Sequence, residues 1–544
     1  MKVLIVSTEK LPVPPVKGGA IQTYISGAVP SLKQKHSITI LGRQDETLPD
    51  KETKDGIQYV RVPGGLLETY RAGVVEYIKE QSFDLIHIFN RPRLVLPIRE
   101  VAPKSRIILS MHNDMFKREK ISPEEGKEAI AQLDKIITIS NYIGEEIVKL
   151  FPEAENKVKT IYSGVDLDRF VPVYSNKGRN IRSSMRQQHQ LGSKKVILFA
   201  GRLSANKGAD ILLRSMEDLS KKFPDIALVL MGAKGFSDNR MSDYIAYIKS
   251  IADRLPIPVI TTGFVQPDQI QDWFATADIF VCPSQWEEPL ARVHYEAMAA
   301  GLPIVTTARG GNPEVIEVGK NGYIVETPED SQEFVTHISK LLSNPSLCKK
   351  MGEYGRQFAE ENHNWDRVIS DISEVWSEIE YKIKHNIALD ETNEELESLE
   401  LPNQDLPKDK EETENNAIVV EEKEIEEKEI EKKVEAPKPR QPRTIAEYFN
   451  YMFFMNRRNP FFSDIDSSLD EEIEQSIVIM EEMEEEMEEE EKREATKPLS
   501  PDLKEEKISP IKEEAPIPPK KKVRKKPTES KPWINKEVIV EKRK

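Results

Sequence analysis

Two cysteines, Cys282 and Cys348, are all that the 544 residues contain. Neither stands at CxxC spacing or near a metal-binding pair of histidines, which weighs against a disulfide framework and a structural zinc site. Free thiols of this kind suit a reducing, cytoplasmic compartment. Long apolar runs are also missing: none approaches the roughly 18–20 residues that span a bilayer, so no transmembrane segment is expected. The apolar stretch at residues 1–8 is too short for a secretory leader. It is ended by Glu9 and Lys10 rather than by a small-residue cleavage site, and it reads as a first β-strand. No Gly-x-Gly-x-x-Gly follows it, so a dinucleotide fingerprint is absent. Basic residues are outnumbered, 78 against 94 acidic, for a net charge of −16. Much of the acidic excess lies beyond residue 385, in runs such as 481–488, and the whole-chain balance therefore says little about the folded part.

What the chain does contain is a regular alternation. Short apolar runs at 2–6, 37–41, 58–62, 84–88, 106–110 and 135–139 are separated by longer amphipathic stretches. A second series follows at 195–200, 227–231, 259–262, 278–282 and 304–307. This pattern predicts parallel sheets covered on both faces. Two doubly wound, Rossmann-like α/β domains in tandem are expected, at 1–173 and 195–364, facing each other across a cleft. The polar stretch 174–194 reads as an interdomain linker. An amphipathic helix at 365–385, with Trp365, Val368, Ile372, Val375, Trp376 and Ile379 on one face, closes the folded region and completes the first domain.

Beyond residue 388 the composition turns to Glu, Lys and Pro, and the segment 388–544 reads as a disordered charged tail that buries too little surface to offset its chain entropy. Residues 469–491 could form a solvated acidic helix. An aromatic and Met-rich island runs from Ile445 to Phe462; a helix folding back on the catalytic unit and a docking motif for a protein partner are both open. The basic block 520–526 lies beside abundant Glu and is read as part of a charge-balanced tail rather than as a nucleic-acid patch.

The chemistry-bearing residues sit at strand ends. Glu288, before Pro289, and Glu296, on an Ala-rich helix, are two carboxylates suited to gripping sugar hydroxyls, with Leu290 and Ala291 between them. Strand 195–200 runs into Gly201-Arg202 and then Lys207-Gly208, which brings two cations to a helix start and suits a diphosphate. In the first βα connection, Gly18 and Gly19 allow close approach of a phosphate or sugar to the backbone. His112 follows strand 106–110 at the end where a cleft residue belongs. Asp166 and Asp168 match a metal-binding DxD pattern, but no other ligand clusters with them, so a turn is expected and no metal.

Taken together, Lys17-Gly18-Gly19, the segment Ser163 to Phe170, Gly201-Arg202 with Asn206-Lys207-Gly208, Glu288 to Pro303 and Gly310 to Glu314 resemble the GT-B glycosyltransferases of family 4. The resemblance covers roughly residues 1–385 and implies a retaining, metal-independent enzyme with a nucleotide-diphospho-sugar donor and no cofactor. It implies that Arg202 and Lys207 hold the donor diphosphate, Glu288 the donor sugar and Glu296 the ribose. Gly18 and Gly19 would then lie near the phosphates and acceptor, and His112 beside the transferring sugar. The pattern departs from the family at Leu290-Ala291-Arg292, where an aromatic residue and glycine are usual, at Asn113, where an acidic residue is frequent, and at Ser163, where Asn is common. These departures leave the nucleotide grip in place and bear on the choice of sugar. A sugar-nucleotide epimerase or phosphorylase on the same plan is an alternative, as is an assembly protein with a vestigial site. An epimerase should lack the paired Glu288 and Glu296, and a phosphorylase should be much longer.

Overall fold

The computed structural model describes residues 1–235 and 241–389. Eight strands form the first sheet: β1 Lys2–Val6, β2 Ser37–Arg43, β3 Lys51–Lys54, β4 Ile57–Val62, β5 Leu85–Phe89, β6 Arg106–Met111, β7 Lys135–Thr138 and β8 Val158–Thr160. Their order is β3-β4-β2-β1-β5-β6-β7-β8. All neighbours are parallel except the β3–β4 hairpin. The second sheet contains β9 Lys195–Ala200, β10 Ile226–Met231, β11 Val259–Gly263, β12 Ile279–Cys282, β13 Ile304–Thr307 and β14 Gly322–Val325. It is parallel throughout, in the order β11-β10-β9-β12-β13-β14. In each sheet the order reverses about the first strand, β1 or β9, and the crevice at the carboxyl ends of the strands beside that point is where ligands bind in open α/β sheets.

Strands such as β1, β5 and β12 are buried on both faces. This explains why they read as continuous apolar runs rather than as alternating ones. One face of the first sheet packs on the helices Leu67–Lys79, Val95–Val101, Pro123–Ala131 and Asn141–Leu150. The other packs on Ala20–Leu32 and on Trp365–Lys384, which returns from the far end of the second domain. Val368, Ile372, Val375, Trp376 and Ile379 of that returning helix lie in one core with Val3, Ile5, Tyr24 and Ile25. The chain thus crosses between the domains twice, and the crossings are tied together. Val165 donates its N–H to His363 O at 2.8 Å, and Arg367 Nη2 donates to Tyr162 O at 2.6 Å.

The stretch 174–194 is not a bare linker. It carries the helix Asn176–Gln188, whose N-terminus is capped by Ser175 Oγ accepting from Gly178 N. The helix has few apolar residues and is held by arginines instead. Arg182 donates to Thr276 O at 2.9 Å and to Asp278 Oδ1 at 2.7 Å, and Arg186 to Thr276 O at 2.8 Å and Asp278 Oδ2 at 2.7 Å. Two guanidinium groups therefore satisfy the carbonyls at the end of helix Ile270–Thr276 and share one carboxylate. The expectations for the tail, for its acidic helix at 469–491 and for the island from Ile445 to Phe462 fall outside the described residues. No described helix is long and apolar enough to cross a membrane.

Candidate functional site

Glu288 lies in the loop after β12 and is almost enclosed. Three donors converge on its Oε2: Lys207 Nζ at 2.5 Å, Trp286 Nε1 at 2.7 Å and Ser284 Oγ at 2.9 Å. Its Oε1 has no hydrogen-bond partner among the described residues. A carboxylate oriented through one oxygen and open at the other is prepared to accept a hydroxyl. Its main chain is fixed as well, since Gly311 N donates to Glu288 O at 2.8 Å. Gly310 makes this approach possible: its φ is 57°, and a Cβ there would stand 2.1 Å from Glu288 O.

Lys207 ends the 3-10 turn Ala205–Lys207 that follows β9, and its Nζ also lies 5.4 Å from the centre of the Trp286 ring. Arg202, on the same connection, has an exposed side chain with no ion pair or side-chain hydrogen bond among the described residues. One cation of the expected diphosphate pair is thus already engaged with Glu288, and the other is open.

Glu296 sits on the short helix Val293–Ala299, next to Arg292. Burial raises its pKa, and the charges of Arg292 and Arg169 work against that rise. Its carboxylate makes no side-chain hydrogen bond to a described residue. Arg292 donates through Nη1 to Ser163 Oγ at 2.6 Å, with its guanidinium 6.0 Å from the Trp365 ring centre. Leu290 packs into the core of the second domain. The Ala291 N–H is taken by Asn312 Oδ1 at 3.2 Å, and the Ala291 carbonyl meets His294 Nδ1 at 2.9 Å. His294 is fully buried, also contacts Thr306 Oγ1 at 2.8 Å, and is held neutral by desolvation with a pKa of about 4. His294 and Asn312 thus fix this loop from below.

On the first domain, Gly18 (φ 80°) and Gly19 (φ 111°) lie between β1 and helix Ala20–Leu32. A Cβ on Gly19 would fall 2.3 Å from Gln22 Oε1 and 2.7 Å from Leu11 Cδ1. Gln22 is tied in turn to Thr8 and to the Leu11 carbonyl, so no larger residue fits this turn. His112 leaves β6 toward the seam between the domains. Its ring meets Tyr24 edge-on at 4.8 Å and Phe89 at 5.6 Å. Burial, reinforced by the Arg292 charge from the second domain, lowers its pKa to about 3 and keeps it neutral. The charge of Arg292 in the second domain is thus felt at His112 in the first. Gly18 and Gly19 form no hydrogen bond with second-domain site residues among the described residues.

Two motif residues serve the architecture. Glu314 accepts from Asn141 N, Tyr142 N and Tyr162 Oη, each at 2.8 Å, so a second-domain carboxylate caps the first-domain helix Asn141–Leu150. Asp166 Oδ1 accepts the N–H of Asp168 at 3.2 Å and of Arg169 at 2.9 Å, the turn expected of it. Among the described residues no group of three or more His, Cys, Asp or Glu side chains could hold a metal. The stretches 64–72 and 89–96 are partly helical: Leu67–Lys79 begins inside the first, and Pro92–Leu94 with Val95–Val101 inside the second. An open groove of about 840 Å³ beside helix Asn176–Gln188 lies apart from these residues, and Arg179, Arg182 and Arg186 on its wall are committed to protein partners.

Residues 21–169 match the family described as Glycosyltransferase Family 4, and residues 181–358 match Glycosyl transferases group 1. The chain is 43% identical over 376 residues to spore coat protein SA of Bacillus subtilis, covering 69% of this chain and 99% of that protein. It is 27% identical to a GDP-mannose-dependent alpha-(1-6)-phosphatidylinositol monomannoside mannosyltransferase of Mycolicibacterium smegmatis, over 67% of this chain and 96% of that one. Among solved structures it is similar to a sucrose-phosphate synthase from Thermosynechococcus elongatus, with a TM-score of 0.59 at 18% identity, covering 70% of this chain and 99% of that one. It is similar also to Anabaena HepE in complex with UDP-glucose, with a TM-score of 0.56 at 22% identity, covering 70% and 100%.

Proposed function

Because the chain belongs to the family 4 glycosyltransferases of GT-B fold, we propose that it moves a sugar from a nucleotide-diphospho-sugar to an acceptor hydroxyl with retention of anomeric configuration. The observation that carries this reading is Glu288, held through Oε2 by Lys207, Trp286 and Ser284 and open at Oε1. In the proposed complex Oε1 accepts a donor-sugar hydroxyl, while Lys207 and Arg202 face the diphosphate and offset the negative charge that builds as the bond from the anomeric carbon to the diphosphate oxygen breaks. Glu296 takes the ribose hydroxyls. The acceptor oxygen attacks the anomeric carbon on the face the diphosphate leaves, and its proton passes to the departing diphosphate. His112, neutral, offers the sugar a hydrogen-bonding group without adding charge. The residues supply cations and hydrogen bonds for each step, and the reading includes no metal and no further cofactor.

Similarity to a spore coat protein along almost its whole length supports a second, compatible role, incorporation into a spore coat, with the acceptor a surface glycan, lipid or protein. The mannosyltransferase relative and the UDP-glucose complex point to GDP- and UDP-sugars as the first donors to try. A thermal-shift panel of UDP-, GDP- and ADP-sugars tests the donor reading, since a ligand that binds the folded state raises its melting temperature. The expected result is a shift with one nucleotide series that Lys207→Ala removes; no shift with any nucleotide-sugar would overturn it.

A further inference from the structure

We propose that Asn90 is a positioning residue for transfer, setting the place of His112 through the backbone; this rests on the reading that His112 stands beside the transferring sugar. Asn90 follows β5 and is buried. Its φ of 56° is one that asparagine tolerates better than most residues. Its N–H continues the sheet by donating to Ser110 O at 2.7 Å. Its side chain then does something the sheet cannot. Oδ1 accepts the N–H of His112 at 3.0 Å and of Asn113 at 2.9 Å, the two groups that leave β6 past the end of its ladder. The main chain that aims the imidazole at the seam is thereby pinned at two consecutive donors.

Asn90 is itself locked. Arg91 Nη1 donates to Asn90 O at 2.6 Å, and the same guanidinium makes a two-point pair with Glu9, Nε to Oε2 at 2.6 Å and Nη2 to Oε1 at 2.7 Å. Both members of this pair are buried, and Glu9 O accepts from Gly65 N at 3.0 Å. The exits of β1, β5 and β6, three adjacent strands at the point where the sheet order reverses, are thus joined in one chain of bonds ending on His112. Without Asn90 Oδ1 the ring would keep its apolar neighbours Tyr24 and Phe89 but lose the constraint on the peptides that carry it.

The test compares Asn90→Gly, which keeps the backbone conformation and removes the acceptor, with Asn90→Asp, which restores an acceptor. The full chain is assayed for hydrolysis of UDP-glucose, or of GDP-mannose if that is the nucleotide-sugar that stabilises it, and its melting temperature is recorded. In Asn90→Gly kcat should fall by about tenfold or more with KM changed less than about twofold, and Asn90→Asp should recover most of the loss. If Asn90→Gly does not fold, the same comparison is made with Asn90→Ser. An unchanged kcat while His112→Ala is impaired overturns this proposal alone. A loss that Asp does not rescue and that follows the melting temperature assigns Asn90 a structural role and overturns it too. If His112→Ala hydrolyses the donor normally, the role given to His112 fails and this proposal fails with it.

Discussion

Glu314 and Tyr142 are joined across the seam: a carboxylate of the second domain accepts, at 2.8 Å, an N–H in the first turn of a helix of the first. Asn141 N and Tyr162 Oη bond to the same carboxylate. Glu314→Ala removes one acceptor from three donors and the charge from a helix N-terminus. It should cost about 1–2 kcal/mol of unfolding free energy in urea titrations. A loss of under a few tenths of a kcal/mol would show that the three bonds are replaced by water without penalty.

Lys207→Ala and Glu288→Ala separate the two halves of the proposed donor grip. The lysine variant should lose nucleoside-diphosphate affinity in calorimetry by about a hundredfold, the scale of one charge-assisted contact in an enclosed site. The glutamate variant should bind the nucleoside diphosphate nearly as the parent does and transfer sugar at least about a hundredfold more slowly. Equal transfer rates would remove Glu288 from the sugar site.

His112 carries a pH signature. Its folded pKa, about 3, lies below the unfolded value near 6.5. Between these values the unfolded state binds the extra proton, so the contribution of a neutral His112 is present above about pH 6.5 and is lost as the pH falls. His112→Gln cannot titrate. From about pH 7.5 to 5.5 it should lose about 1.4 kcal/mol less stability than the parent in denaturant titrations. Parallel losses in the two proteins would mean that His112 takes up its proton in the folded state as readily as in the unfolded one.

Asp278 anchors helix Asn176–Gln188 through Arg182 and Arg186 and also accepts from Val196 N at 2.8 Å. Asp278→Ala strands two partly buried guanidinium groups and should cost about 3 kcal/mol, read from the denaturation midpoint. A cost near zero would return 174–194 to the status of a linker.

Treatment with EDTA should leave transfer unchanged, because cations of the chain itself face the diphosphate in the proposed complex. Activity that vanishes with chelation and returns with added Mn²⁺ would overturn the metal-free reading and turn attention back to Asp166 and Asp168.

The strands with two buried faces were legible because burial writes itself as apolar runs: β1, β9 and β13 have the bounds expected of them. Those missed are β3 (Lys-Glu-Thr-Lys), β8 (three residues) and β14 (Gly-Tyr-Ile-Val), too polar or too short to show a period. Helix Asn176–Gln188 escaped notice because arginine bonds to a distant carboxylate hold it rather than an apolar stripe. The same limit applies to the site. Glu288, Lys207 and His112 stand in local words with recognisable chemistry. Asn90 and Glu314 act on partners far along the chain, and only the folded topology brings these together.

The returning helix Trp365–Lys384 has a consequence for synthesis. The apolar face made by Val3, Ile5, Tyr24 and Ile25 is translated first, yet its covering residues Val368, Ile372 and Trp376 are among the last of the paired domains to leave the ribosome. At roughly 5–20 residues per second the first domain must wait tens of seconds with that face uncovered, while the second domain, whose sheet is closed by its own helices, can fold ahead of it. The order of translation and the order of completion are therefore opposite.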